Sequence, residues 1–192
     1  GANWPGGAVD PETGIMYIFS KSDVGRMSMS NRPDRSDMDY INLQSRNAPR
    51  LFVDGLPLIK PPYGQIVALD LNEGEKLWDA VHGETPDSIR NHPALEGLDI
   101  PATGQAGRVG VLLTKTLVIA GDGGSYTNAD GEQEALLRAY DKFTGEQLGS
   151  LAMPAQQTGS PMTYAIDGVQ YLAVAISGGD VPGRLRIYSY EP

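Results

Sequence analysis

The sequence predicts an all-β fold, a partial β-propeller of about two complete four-stranded antiparallel blades and a three-stranded last blade. Three observations predict it. One phrase occurs twice, Ala68-Leu69-Asp70-Leu71-Asn72-Glu73-Gly74 and Ala139-Tyr140-Asp141-Lys142-Phe143-Thr144-Gly145, both reading Ala-x-Asp-x-x-x-Gly. Each copy ends an alternating run of strand type, Gln65-Ile66-Val67-Ala68-Leu69 and Leu136-Leu137-Arg138-Ala139-Tyr140. Short strands joined by Asp/Gly turns, in a unit that repeats, are how a propeller blade is written. The second observation is composition: 24 glycines, 14 prolines and 40% hydrophobic residues suit a turn-rich β protein with a real core. The third is the length of the apolar runs, near 109–113, 117–120 and 171–176, which are strand-sized and β-branched, and far short of a membrane span.

Each position of the repeated phrase has a physical task. Asp70 and Asp141 end a strand, where a carboxylate accepts hydrogen bonds from turn amides, and Gly74 and Gly145 supply the positive φ that closes the hairpin. The small Ala68 and Ala139 leave room for a large neighbour. Trp78 is the expected occupant, an indole lying flat between blades. The second copy has Gly149 in the place of Trp78, so its docking contact is expected to be weaker or absent.

The elements follow in order. Strands at 7–10 and 15–20 form a hairpin across Asp10-Pro11-Glu12-Thr13-Gly14, with proline at the second turn position. Residues 21–62 are polar and proline-punctuated and form an excursion with one short strand at 51–53; Met27, Met29 and Met38 are expected to pack it onto the propeller. Strands at 64–71 and 75–79 complete a blade spanning residues 1–80. A loop at 82–105 has room for one helical turn in Pro93-Ala94-Leu95-Glu96-Gly97. Strands at 108–114, 117–121, 135–140 and 146–151 make a blade over 106–152, interrupted by a glycine-rich hairpin loop at 122–131. A last blade over 158–192 has strands at 160–166, 169–176 and 184–190, with Asp167-Gly168 as a strong hairpin signal. Its fourth strand is missing. Closed propellers commonly complete the last blade with a strand from the other end of the chain, so the 192 residues are expected to be the C-terminal portion of one propeller domain in a longer protein.

Several chemistries are disfavoured. A formal charge of −9 without a basic block argues against nucleic acid, and the absence of cysteine removes disulfides and thiolate metal sites. His82 and His92 sit in a polar loop near Glu84, Asp87 and Asp99, where histidines are expected to be solvent-exposed or capping rather than metal ligands. Asp122, Asn128, Asp130 and Glu132 lack the spacing of a calcium loop. The glycines near 104–110 and 121–124 precede no helix that would hold a phosphate, and Ser160 stands in Gly-Ser-Pro, not in a nucleophile elbow.

Five ordered blocks carry a resemblance that covers essentially the whole chain. They are Asn3-Trp4 with Gly7-Ala8-Val9-Asp10-Pro11-Glu12-Thr13-Gly14-Ile15-Met16-Tyr17-Ile18; Pro61-Pro62-Tyr63-Gly64-Gln65-Ile66-Val67-Ala68-Leu69-Asp70-Leu71; His92-Pro93-Ala94-Leu95; Leu137-Arg138-Ala139-Tyr140-Asp141; and Gly159-Ser160-Pro161-Met162-Thr163-Tyr164 with Gly168-Val169-Gln170-Tyr171-Leu172-Ala173-Val174. The chain resembles the C-terminal part of the pyrroloquinoline-quinone (PQQ)-dependent dehydrogenases of the eight-bladed propeller class, closest to the glucose and quinate dehydrogenase branch. Glu73 stands where that family usually has Thr, and Gly149 where it has Trp.

The resemblance implies oxidation of a sugar, polyol or alcohol hydroxyl. Calcium-bound PQQ accepts the hydride, a carboxylate base removes the hydroxyl proton, and electrons leave to a quinone or cytochrome acceptor. It also implies a periplasmic location, with membrane association through an N-terminal region outside this chain, and contacts with the remaining blades. The catalytic base and the metal ligands are expected on those other blades, leaving no catalytic or metal residue here and a fragment inactive alone. The residues it assigns to the cofactor are Asn3, whose amide donates and accepts in one plane without adding charge, and Trp4 beside it. The alternative is a non-catalytic propeller scaffold for protein–protein interaction. Such a scaffold keeps the blade turns but loses the funnel residues and the long excursions; retention of both here favours the enzyme.

Overall fold

Strand pairing follows the turns. In a computed structural model, which describes residues 1–24, 28–42 and 51–190 (the backbone alone for Asn3, Trp4 and Tyr190), each repeated phrase is a hairpin closed by its own side chains. Asp70 Oδ1 accepts from the amides of Asn72 (2.8 Å) and Glu73 (3.3 Å), and Asp141 Oδ1 from those of Phe143 and Thr144 (both 2.8 Å). Gly74 and Gly145 take φ of 73° and 74°. Thr144 adds a hydroxyl bond to Asp141 that Glu73 does not make in the first copy.

The strands between these turns form three antiparallel sheets. The first is β1 (Ala2–Asp10), β2 (Ile15–Lys21), and then, after the excursion, β7 (Gly64–Asp70) and β8 (Glu75–Val81), in the order β1-β2-β7-β8. The excursion holds two small ribbons, β3 (Met29–Ser30) with β4 (Ile41–Asn42) and β5 (Phe52–Val53) with β6 (Leu56–Pro57). After one turn of helix, α1 (Asp87–Arg90), and a 3-10 turn at Pro93–Leu95, the second sheet runs β9 (Leu112–Leu113), β10 (Leu117–Gly121), β12 (Gln133–Asp141) and β13 (Gln147–Met153), with β11 (Tyr126–Thr127) extending it beside β12. The third contains β14 (Met162–Ile166), β15 (Val169–Gly178) and β16 (Val181–Tyr190) and has three strands, as the sequence predicts.

The sheets pack face against face in chain order. Tyr17, Phe19, Ile66 and Ala68 of the first meet Val118, Ala120 and Tyr140 of the second, together with Val109 and Val111 on the approach to β9. Ala135, Leu137 and Met153 meet Val174 and Ile176 of the third. Along β2 and β10 the buried side chains Tyr17 and Phe19, and Val118 and Ala120, alternate with partly exposed ones, the period-two pattern of a sheet with one face in a core. Trp78 adds a specific dock between the first two sheets. It is the cross-strand partner of Ala68, its ring covers Gly145 so closely that a Cβ there would lie 2.6 Å from Trp78 Cε3, and its Nε1 donates to the Lys142 carbonyl (3.1 Å). Lys142 Nζ reaches back to Asp10 (2.8 Å) in the first hairpin turn, a nearly buried ion pair. Around Gly149, space is open.

Some expectations change. β1 begins at Ala2 rather than at residue 7, with a register shift before Gly7. Of the strand expected over 108–114, Leu112 and Leu113 alone pair with β10, because the preceding segment crosses the neighbouring backbone at Gly107 and Gly110 instead of entering the ladder. Met29 and Met38 do not pack the excursion down: they are 70% and 66% exposed, and Met27 lies outside the described residues.

Candidate functional site

Each sheet has its first strand at one edge, and the segments leading into those strands converge. Pro5 of β1, residues 105–108 and Gly110 before β9, and residues 156–160 before β14 line a cavity of about 980 Å³. The two excursions also line it: Leu51, Phe52, Pro57 and Leu58 of the β5–β6 hairpin, and Pro86, Ser88 and Ile89 around α1. The hairpin is tethered to the second excursion by His92, whose Nε2 donates to the Asp54 carbonyl at 2.6 Å. His92 Nδ1 accepts from the Ala94 amide, so this histidine caps the 3-10 turn, as expected from sequence.

Buried polar groups tie together the segments around the cavity, and of these Gln157 lines it. Gln157, 3% exposed, accepts from the Gly121 amide (2.6 Å) and donates to the Gly110 carbonyl (2.8 Å), joining the second sheet to the entry of the third. Asp122 is fully buried and takes two bonds from Arg138 (2.7 and 3.2 Å) and one from the Leu136 amide (3.0 Å), while Arg138 continues to Glu84 (3.0 Å) in the second excursion. Burial works against the Arg138 charge, but the Asp122 and Glu84 carboxylates outweigh it and hold the guanidinium firmly protonated. Asp87 of α1 accepts from the Thr127 amide (3.0 Å) and hydroxyl (2.6 Å), fixing the helical turn against β11.

His82 corrects the sequence reading. It is neither exposed nor a cap but fully buried just after β8, edge-on to Phe19 with ring centroids 5.6 Å apart. Its Nε2 must donate to the Gly121 carbonyl (3.0 Å), so its Nδ1 accepts from the Tyr140 hydroxyl (2.8 Å) and the ring is neutral. Burial pushes its pKa down, and the nearby Asp122 carboxylate only partly offsets that. Nothing in the local sequence distinguishes it from His92; its burial comes from packing of the second sheet against the end of the first.

Asn3 and Trp4 lie in β1 and directly precede Pro5 on the cavity wall, but their side chains are outside the described residues. Ser160 lines the cavity against Gly110. The acidic loop after β10 is a hairpin extension of the sheet, with Asp122 committed to Arg138. Among the described residues no three His, Cys, Asp or Glu side chains converge as a metal site. The sequence reading missed the Gln157 bridge and the cavity role of the β5–β6 hairpin. The Asp54-Gly55 pair, whose φ values of 49° and 89° make a tight hairpin turn, was the available signal for the hairpin.

Residues 1–172 match the family described as "PQQ: Glucose/ethanol/alcohol dehydrogenase, beta-propeller domain". The chain belongs to this family. Among relatives of this PQQ propeller family, it is 28% identical over 124 residues to quinoprotein glucose dehydrogenase A of Acinetobacter calcoaceticus, a match covering 65% of this chain and 14% of that protein. It is 24% identical over 189 residues to the 1-butanol dehydrogenase (cytochrome c) of Thauera butanivorans, covering 95% of this chain and 22% of the relative. The fold matches the crystal structure of quinohemoprotein alcohol dehydrogenase from Comamonas testosteroni with a TM-score of 0.58 at 18% identity, over 98% of this chain and 25% of that one. The three sheets are therefore propeller blades, and the chain spans a small fraction of the length of the relatives it matches.

Proposed function

We propose that this chain is the C-terminal segment, one continuous piece of a single propeller domain, of a PQQ-dependent dehydrogenase that oxidises an alcohol, sugar or polyol hydroxyl and passes electrons to a quinone or cytochrome acceptor in the periplasm. The observation that carries the reading is the cavity: in a chain of this family, it lies where the first strands of three consecutive blades begin. Its donor set suits a flat, multiply anionic group. Glutamine amides, hydroxyls and glycine backbone line it, and the one carboxylate among its described lining residues, Asp23, is paired with Lys21 at 3.0 Å. Bound there, PQQ supplies a two-electron acceptor for the hydride of the alcohol carbon.

The chain's own part is to hold and orient. Asn3 is the proposed hydrogen-bond partner of the cofactor's polar oxygens, and Trp4 the flat surface beside it, on the strand end that borders the cavity. Gln157 and the Asp122–Arg138–Glu84 chain keep the wall in place without touching the reacting atoms. The base that takes the hydroxyl proton and the carboxylates that hold calcium are proposed to lie on other blades.

In the full-length protein, calcium-dependent PQQ binding followed by fluorescence titration tests the reading. Asn3→Ala is expected to weaken that binding by about 1–3 kcal/mol, the range for one lost buried hydrogen bond. Unchanged affinity would leave Asn3 a strand residue with no part in cofactor binding, and a full-length protein that fails to bind PQQ would remove the assignment altogether.

A further inference from the structure

We infer that Arg108 is the anchor for a carboxylate carried by the ligand of this cavity, an inference that rests on the cavity being the site proposed above. Charge isolates it. The chain carries a formal charge of −9, yet among the described residues the charged ones lining the cavity are Lys21, Asp23 and Arg108, and the first two neutralise each other. Arg108 is exposed and makes no hydrogen bond or ion pair among the described residues, so the described lining carries one uncompensated positive charge.

Its backbone, in contrast, is fixed on both sides. Gly107 lies so close to Gly123 that a Cβ would be 2.5 Å from the Gly123 Cα, Val109 is 2% exposed in the core between two blades, and the Gly110 carbonyl is held by Gln157 at 2.8 Å. With its donors free, the guanidinium takes an anion without breaking another bond, and the fixed backbone keeps its point of attachment at the cavity. The planar fork matches the two oxygens of a carboxylate in a way that an ammonium does not. The Thr158 and Ser160 hydroxyls on the same wall make no hydrogen bond among the described residues and offer further donors. The carboxylate has two sources of identical chemistry, the cofactor or a hydroxy-acid substrate.

The test compares wild type, Arg108→Gln and Arg108→Lys in the full-length protein by calorimetric binding of three probes: PQQ, 4-hydroxybutyrate, and the uncharged 1,4-butanediol. The expected result is that Arg108→Gln weakens a carboxylate probe roughly tenfold or more, that Arg108→Lys restores only part, and that the diol changes by less than about twofold. Loss confined to 4-hydroxybutyrate assigns the substrate's carboxylate, and loss confined to PQQ assigns the cofactor's. If wild type binds 4-hydroxybutyrate and loses it on substitution but never binds PQQ, the inference stands and the cofactor reading falls. Binding of both carboxylates within twofold of wild type, equal loss of all three probes, or a wild type that binds neither carboxylate overturns it.

Discussion

His82 shows what one buried polar side chain can impose on a blade boundary. Its ring spans two sheets with both nitrogens occupied, and the Gly121 carbonyl admits only the neutral form with the proton on Nε2. Because burial depresses its pKa in the folded state, the unfolded chain, where a histidine titrates near 6.5, binds the proton more readily. The stability it contributes is complete above roughly pH 7 and is lost as pH falls through the unfolded value towards the folded one, with a slope approaching about 1.4 kcal/mol per pH unit. The urea midpoint of the wild type is expected to drop between pH 7.5 and 5, and His82→Gln, though less stable at pH 7.5, is expected to show a flatter profile over that window. Equal slopes would mean that another group titrates. None of this was legible in the sequence, since Val81-His82-Gly83 reads as a strand end running into a loop, and what buries the ring comes from residues about 40 to 60 positions away.

At the scale of the elements, the turn phrase does two tasks. Asp and Gly close the hairpin locally, and the same glycine presents a bare backbone on which the indole of the preceding blade lies. Trp78→Ala removes both the ring contact and the bond to the Lys142 carbonyl, and is expected to cost about 3 kcal/mol, in the lower part of the range for aromatic truncation because Trp78 is only partly buried. Denaturant unfolding measures it; a loss below about 1 kcal/mol would mean that the apolar faces hold these blades together without the dock. Between the second and third blades Gly149 offers no such side chain, and the boundary relies instead on the cluster around Met153 and Val174 and on the Tyr188 hydroxyl bonded to the Ala152 carbonyl (3.3 Å). These features were readable because they are encoded in contiguous residues: Ala68, Asp70, Gly74 and Trp78 announce the turn, the strand and the dock together. The short strand expected at 51–53 is β5, but its partner β6, the β3–β4 ribbon and the single turn α1 escaped because two-residue ladders and four-residue helices carry no periodicity, and β9 was read too long because apolar residues entering a strand look like residues within it.

For the whole molecule, the blades are layered so that their first strands begin around one cavity, and a site emerges that no single blade contains. The sequence reading started the first strand at residue 7 and held no sign that Pro5, residues 105–108 and residues 156–160 line one cavity, because that arrangement exists only once three sheets have stacked. The same geometry bounds what the chain does alone. Dehydrogenation of an alcohol needs a group to take the hydroxyl proton and, by the proposed reading, a metal to polarise the acceptor. Among the described residues, the one carboxylate on the cavity wall, Asp23, is already bound to Lys21, and no three ligating side chains come together. The isolated 192-residue chain, supplied with PQQ, calcium, an alcohol and a dye acceptor, is therefore expected to show no turnover above the cofactor free in solution. Sustained turnover would place the base and the metal site within these blades and would require the cavity to be reassigned as a complete active site.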